Sequence, residues 1–132
     1  MTGWILFCKG NVRAILLSPE AYATWAQWSA NLERRTRSTR ACANFTHRAQ
    51  IVADTRGRIS EDVFKHEGEQ IYAIRAQSIR AYGWLDSIPE HGSAFLVCHM
   101  VQKFWRKLNP GDLKRAITYR DRYRQINSRK NK

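Results

Sequence analysis

The stretch that most constrains this chain runs from Gln70 to Lys107. Three short runs rich in β-branched and aromatic residues sit in it, Ile71 to Ala76, Ile79 to Leu85 and Ala94 to Val101. Polar, proline and glycine residues separate them, the pattern of strands joined by turns. With Gln77 and Ser78 as a turn, Ala76 pairs with Ile79, Arg75 lies opposite Arg80, Ala73 opposite Tyr82 and Ile71 opposite Trp84. Side chains alternate along a strand, so Tyr72, Ile74, Ala76, Ile79, Ala81, Gly83 and Leu85 form one face, the expected core face. The other face sets two arginines side by side. Directly opposed like charges are unfavourable, unless an anion or a solvent-filled groove lies over them, so this sheet is expected to hold negative charge. The third run, AFLVCHMV, is apolar on both faces, which predicts a central strand.

The chain before the sheet reads as strand and helices. Trp4 to Cys8 and Val12 to Leu17 are two apolar runs, open to a hairpin or to an arm (residues 1–11) followed by a strand; the latter is favoured. Ser18, Pro19 and Glu20 then supply a hydroxyl cap, a first-turn proline and an acid at the positive end of a helix. Tyr22, Trp25, Ala26, Ser29 and Leu32 follow at helical spacing, and the tryptophan is expected to be buried. A second helix is expected from about Thr36 to Thr55, with Cys42, Phe45, Ala49 and Val52 as its apolar stripe and Gly57 as its stop. Arg58 to Glu69 reads as a connection, and Asp86 to Ser93 as a long turn.

Beyond Lys107, Asn109, Pro110 and Asp112 repeat the helix-start logic, and Leu113, Ala116, Ile117, Tyr123 and Ile126 give a helical stripe. From Gln102 to the end stand eleven Lys or Arg against Asp112 and Asp121. Most of the chain's charge of +12 therefore sits here, and residues 127–132 are expected to form a basic tail. Such an excess predicts attraction to a polyanion with steep salt dependence, and nucleic acid is the leading candidate. Lys114, Arg115 and Arg122 are assigned to RNA contact on this helix.

At 132 residues the length fits one domain, large enough to bury roughly two thirds of its unfolded surface without staples. The three cysteines, Cys8, Cys42 and Cys98, are far apart and show no CxxC spacing, which suggests neither a disulfide framework nor a zinc site. His66, His91 and His99 do not fall at ligand spacings. No apolar run approaches the length of a spanning helix, and MTGWILFCKG lacks the charge and length of a secretion signal, so no membrane partner and a cytoplasmic location are expected.

The order strand, two helices, arginine-bearing hairpin, third strand, basic linker and helix resembles the RelE/ParE superfamily of type II toxin–antitoxin toxins, and within it the HigB-like branch. The resemblance is carried by IYAIRA with Arg75, IRAYGWL with Arg80, and FLVCHMVQKFWRKLNP followed by GDLKRA. It covers the second half of the chain, and the first half by element order alone. Where many relatives carry adjacent lysines, this chain has Lys103 followed by Phe104 and Trp105, then Arg106 and Lys107.

The resemblance implies an α+β, RelE-like fold: an antiparallel sheet of about four strands, two N-terminal helices packed on one face, and a basic C-terminal helix. It further implies a toxin that cuts messenger RNA on the ribosome without metal or other cofactor, with a helix-turn-helix antitoxin as partner. In such a reaction the 2′-hydroxyl attacks the neighbouring phosphorus, which demands fixed positive charge, a base and an acid. Arginine offers a permanent charge and a fork matched to phosphate, so Arg75 and Arg80 are the leading catalytic assignments, supported by Lys103, with Arg106 and Lys107 contacting RNA. His99 and Tyr119 are candidates for proton transfer. The alternative for His99, which shares strand parity with Phe95, Val97 and Val101, is a core histidine. Tyr82 and Trp84, on the arginine face, could stack on a base or simply pack under the last helix. The competing function is a nucleic-acid binder without catalysis, or a ParE-like inhibitor of DNA gyrase.

Overall fold

The fold was analysed from a computed structural model, which describes residues 3–30, 37–103 and 110–130. Its elements in order are β1 (Ile5–Lys9), β2 (Ala14–Leu17), α1 (Pro19–Ser29), α2 (Arg37–Asp54), β3 (Phe64–Gly68), β4 (Ile71–Ala76), β5 (Ile79–Ile88), β6 (Gly92–Gln102) and α3 (Pro110–Lys130). The class is α+β, as expected. The sheet is larger than expected and mixed: the described strands make a six-stranded sheet in the order β1-β2-β6-β5-β4-β3. All neighbours are antiparallel except β2 and β6, which run parallel. Parallel neighbours need a long connection between them, here everything from α1 to β5.

The two additional strands lie at the sheet edges. Residues 1–11 are not simply an arm: Ile5–Lys9 pairs with β2 as a hairpin, with a bulge between Leu6 and Cys8. Within the expected connection, Phe64–Gly68 pairs with β4. Its FKHEG sequence is too polar to announce a strand, yet charged side chains suit an edge, where they discourage pairing with other chains. The expected long turn is also shorter, because β5 runs on to Ile88 and β6 begins at Gly92.

Apolar clusters cover both sheet faces. On one, Ala21 of α1 and Ala41, Cys42, Phe45, Ala49 and Val52 of α2 pack on Ile15, Leu17, Ile74, Ala76, Ile79, Ala81, Phe95, Val97 and Met100. The expected stripe of α2 and most of the expected core face of the hairpin meet here, although Leu85 at its end is 40% exposed. α1 presents its first turn to the core: Ala21 is fully buried, Tyr22 is exposed, and Trp25 is half-buried against Phe7 and Phe45. The opposite face, expected to be open, is covered by α3 over Ala73, Tyr82, Trp84, Leu96 and Cys98 through Ala116, Leu113, Ile117, Tyr119 and Tyr123. The helix continues through Asn127 to Lys130, where a tail was expected.

Candidate nucleic-acid interface

The two-residue turn at Gln77 and Ser78 sets the β4–β5 register. Ala76 pairs with Ile79, Arg75 with Arg80, Ala73 with Tyr82 and Tyr72 with Gly83. The two guanidinium groups therefore project from the same sheet face, both half-buried. Neither forms an ion pair with a carboxylate among the described residues. Arg80 Nη1 donates to the carbonyls of Gln77 (2.6 Å) and Ile79 (2.9 Å), and Arg75 Nη1 to that of Glu61 (3.3 Å). Arg48 on α2 approaches from the side, its Nη1 donating to the carbonyls of Arg75 (3.0 Å) and Asp62 (2.6 Å). Burial, then the charge of Arg75, and more weakly that of Arg48, lower the pKa of Arg80. Arg48 thus joins the two arginines the sequence placed together, while Tyr82 and the carboxylate of Glu67 partly offset the positive charge at Arg80.

Two residues along β5 from Arg80, the strand alternation breaks. Tyr82 pairs with His99 but Gly83 with Val97, leaving Cys98 as an extra residue in β6. This β-bulge turns both Cys98 and His99 toward α3. Phe95, Val97 and Met100 face the helices of the other side, while His99 stacks on Tyr82 with ring centres 5.2 Å apart and 22° between planes. The parity expected from the sequence, His99 with Phe95 and Val97, is corrected by this one inserted residue. Gly83 fits the bulge because it has no Cβ, which would fall 2.0 Å from the Leu96 carbonyl oxygen. Ser18, the cap of α1, secures the other side: its amide donates to Val97 O (2.9 Å), its hydroxyl to Cys98 O (2.6 Å), and its oxygen accepts from Ala21 N (3.0 Å).

Around Tyr82 and His99 a buried polar cluster closes. Lys103 Nζ lies 2.9 Å from Asp112 Oδ2 on the first turn of α3, and His99 Nε2 lies 3.9 Å from Asp112 Oδ1. The Lys103 ammonium also lies 5.4 Å from the centre of the Tyr82 ring. Burial acts to lower the Lys103 pKa, but the contacts with Tyr82 and Asp112 outweigh it and hold the ammonium above its ordinary value. Burial pushes Tyr82 up, and burial with the charge of Arg115 pushes His99 down to about 4. Burial also drives the Cys98 thiol up to about 12, making it a poor nucleophile.

The assigned residues therefore fall into two groups. Arg75, Arg80, Tyr82, His99 and Lys103 gather at the β4–β5–β6 end of the sheet. Lys114, Arg115, Tyr119 and Arg122 line a separate groove of about 880 Å³ along the flank of α3, with Trp4, Tyr123 and Ile126. Arg106 and Lys107 lie outside the described residues.

Three roles change with burial. Tyr82 is 2% and Trp84 1% exposed, so neither offers a ring to a base. Tyr82 orders Lys103, and Trp84 packs between Trp4, Tyr119 and Tyr123 while its indole N–H donates to Asp86 (3.3 Å). His99, 1% exposed, cannot touch a bound hydroxyl while α3 is docked. Arg120, counted in the basic surface, is a structural tie that donates to Glu69 O. Conversely, Asp112, Arg48 and Trp4 were missed. Asp112 and Trp4 carried only local signals, a helix start and an apolar run, and nothing local distinguishes Arg48 from the other arginines of its helix.

Comparison with known proteins finds no matching family, curated protein or solved structure. Among the described residues no helix is long and apolar enough to cross a membrane.

Proposed function

We propose that the protein is a toxin of a type II toxin–antitoxin system, a RelE-like member of the HigB branch acting in the cytoplasm as a metal-independent endoribonuclease on ribosome-bound mRNA. The observation that carries this reading is the cross-strand Arg75–Arg80 pair, free of carboxylate partners among the described residues and reinforced by Arg48. Within a sheet enlarged by the edge strands β1 and β3, part of the order of elements supports the RelE-like reading: a strand, a helical pair, an arginine-bearing hairpin, a further strand and a basic helix.

In the proposed reaction the RNA 2′-hydroxyl attacks the adjacent phosphorus and the P–O5′ bond breaks, the 2′ proton passing to solvent and a solvent proton to the departing 5′-oxygen, leaving a 2′,3′-cyclic phosphate and a 5′-hydroxyl. Negative charge builds on the non-bridging oxygens. Arg75 and Arg80 supply a bidentate, preorganised response to it, commonly the largest catalytic contribution. Lys103 stands two residues beyond the strand partner of Arg80, its charge paired with Asp112, and so orders the edge of the site more than it adds net charge to it. The cognate partner is a helix-turn-helix antitoxin covering this basic surface.

The burial of His99 favours a second reading, a nucleic-acid binder without catalysis or a ParE-like gyrase inhibitor. One experiment separates them. Induced expression is expected to arrest growth, with cuts in translated mRNA mapped by primer extension, and Arg75→Gln combined with Arg80→Gln is expected to abolish both. Arrest with intact mRNA would favour the second reading, and full toxicity of the double variant would remove the arginine pair from either.

A further inference from the structure

The groove along α3 has a composition that neither the helix's packing nor the arginine pair accounts for. Its floor is aromatic: Trp4 meets Tyr119 and Tyr123 edge to face, at 6.3 and 5.7 Å between ring centres, and all three rings remain half-buried. Its rim is cationic. Lys114, Arg115 and Arg122 are exposed, and among the described residues Glu20 is the one acid in the lining, already paired with Arg115. The lining runs from Gly111 to Asn127, a span of about 24 Å at helical rise.

The groove also adjoins the first site. Gly111 lines it while the next residue, Asp112, holds Lys103, and Arg115 is close enough to His99 to depress its pKa. The two sites thus meet at the first turn of α3. Cations on a rim above aromatic rings are what an unpaired nucleic-acid strand requires, since phosphates take the charges and bases of any identity take the ring faces. An acidic amphipathic helix would lay a continuous apolar face on a hydrophobic groove, whereas among the described residues this lining sets three rings and Ile126 between the exposed cations Lys114, Arg115 and Arg122.

From this we infer that the α3 groove is a second, non-catalytic subsite for single-stranded RNA, holding the part of the strand that extends past the arginine pair. The inference deepens the nuclease reading and rests on it only for the identity of the strand as substrate. Lys114 and Arg122 contact phosphates; Tyr119 and Trp4 stack bases.

The test uses the full chain and a fluorescein-labelled 12-nucleotide oligouridylate. Lys114→Gln with Arg122→Gln replaces two exposed side chains, so folding is retained and checked by the circular dichroism melt. Loss of two single-strand phosphate contacts is expected to reduce the slope of log K against log salt by about 1.4. Affinity at low salt is expected to fall about tenfold, with KM for RNA cleavage raised and kcat unchanged. Tyr119→Leu is expected to weaken binding about tenfold while leaving the salt slope unchanged, because it removes a stacking face and no charge. Unchanged affinity and slope in the double variant would overturn the subsite. So would retained RNA affinity accompanied by lost binding of a Glu/Leu amphipathic peptide, which would make the groove a protein dock. Groove-dependent binding by a wild-type protein that cuts no RNA would support the subsite and refute the nuclease, whereas cleavage insensitive to the groove variants would do the reverse.

Discussion

Lys103 Nζ sits 2.9 Å from Asp112 Oδ2, joining the end of the central strand β6 to the first turn of α3. Both side chains are largely buried, at 14% and 12% exposure. Asp112 occupies the positive end of the helix dipole as well. The contact ties the start of the basic helix to the end of β6.

Replacing Asp112 by Asn should therefore cost about 2 kcal/mol, less than a fully isolated buried charge because Lys103 keeps Tyr82. The alkaline limb should shift too. Lys103 and Tyr82 both have pKa values raised in the fold, so their contribution is complete below the unfolded values of about 10.5 and 10 and is lost as pH rises through the folded ones. Urea midpoints between pH 9 and 11.5 should fall for the native protein and fall less for Asp112→Asn. An unchanged alkaline limb would dissociate Asp112 from Lys103.

Histidine 99 should contribute to the acid limb. Its pKa is depressed to about 4 from 6.5, so the stability it secures is present above about pH 6.5 and is lost as pH falls toward 4. His99→Phe preserves the stack on Tyr82 without a titrating ring. It should flatten the decline of urea stability across that window, and an equally steep decline would place the acid sensitivity elsewhere.

Arginine 80 opposes stability to function. Arg80→Glu turns a like-charge cross-strand pair into an attractive one, a gain of roughly 0.5 kcal/mol that should outweigh the loss of the bonds to the Gln77 and Ile79 carbonyls at the solvent edge of the site and the approach to Glu67. The same change places a negative charge where phosphate must lie, so RNA cleavage and growth arrest should disappear. A thermal melt alongside a cleavage assay checks both; a destabilised variant would mean that the opposing charges are already compensated.

Serine 18 joins the helix cap to the bulge. Ser18→Ala removes the acceptor for Ala21 N and the donor to Cys98 O in a fully buried setting, at an expected cost of about 2 kcal/mol. The exposed Thr24→Ala, whose hydroxyl only donates to the carbonyl of Glu20 one turn back, should cost less than about 0.5 kcal/mol by comparison. Equal urea midpoints for the two variants would show that Ser18 does not secure the bulge.

Local rules carried the reading of the sequence as far as neighbours along the chain extend. Alternation and a two-residue turn were enough to oppose Arg75 and Arg80, because a hairpin's register is a local property. Helical spacing likewise found the stripe from Cys42 to Val52, and Ser18-Pro19 the start of α1. The same alternation failed at His99, since a single extra residue in β6 reverses every face beyond it and only the crowding at Gly83 and the Ser18 bonds reveal that residue. The polar edge strand β3 was missed because its pairing with β4 supplies what its own sequence does not.

What the sequence determined by itself was the kind of chain this is: an α+β protein, strongly basic at its C-terminal end, with two arginines facing each other on neighbouring strands. Tertiary structure alone decided that α3 lies over that face, burying Tyr82, Trp84 and His99, pairing Lys103 with Asp112 and opening an aromatic, cationic groove along its flank. The division has a physical cause. Strand parity and helix capping depend on residues a few positions apart, whereas burial and ion pairing depend on which distant segments meet.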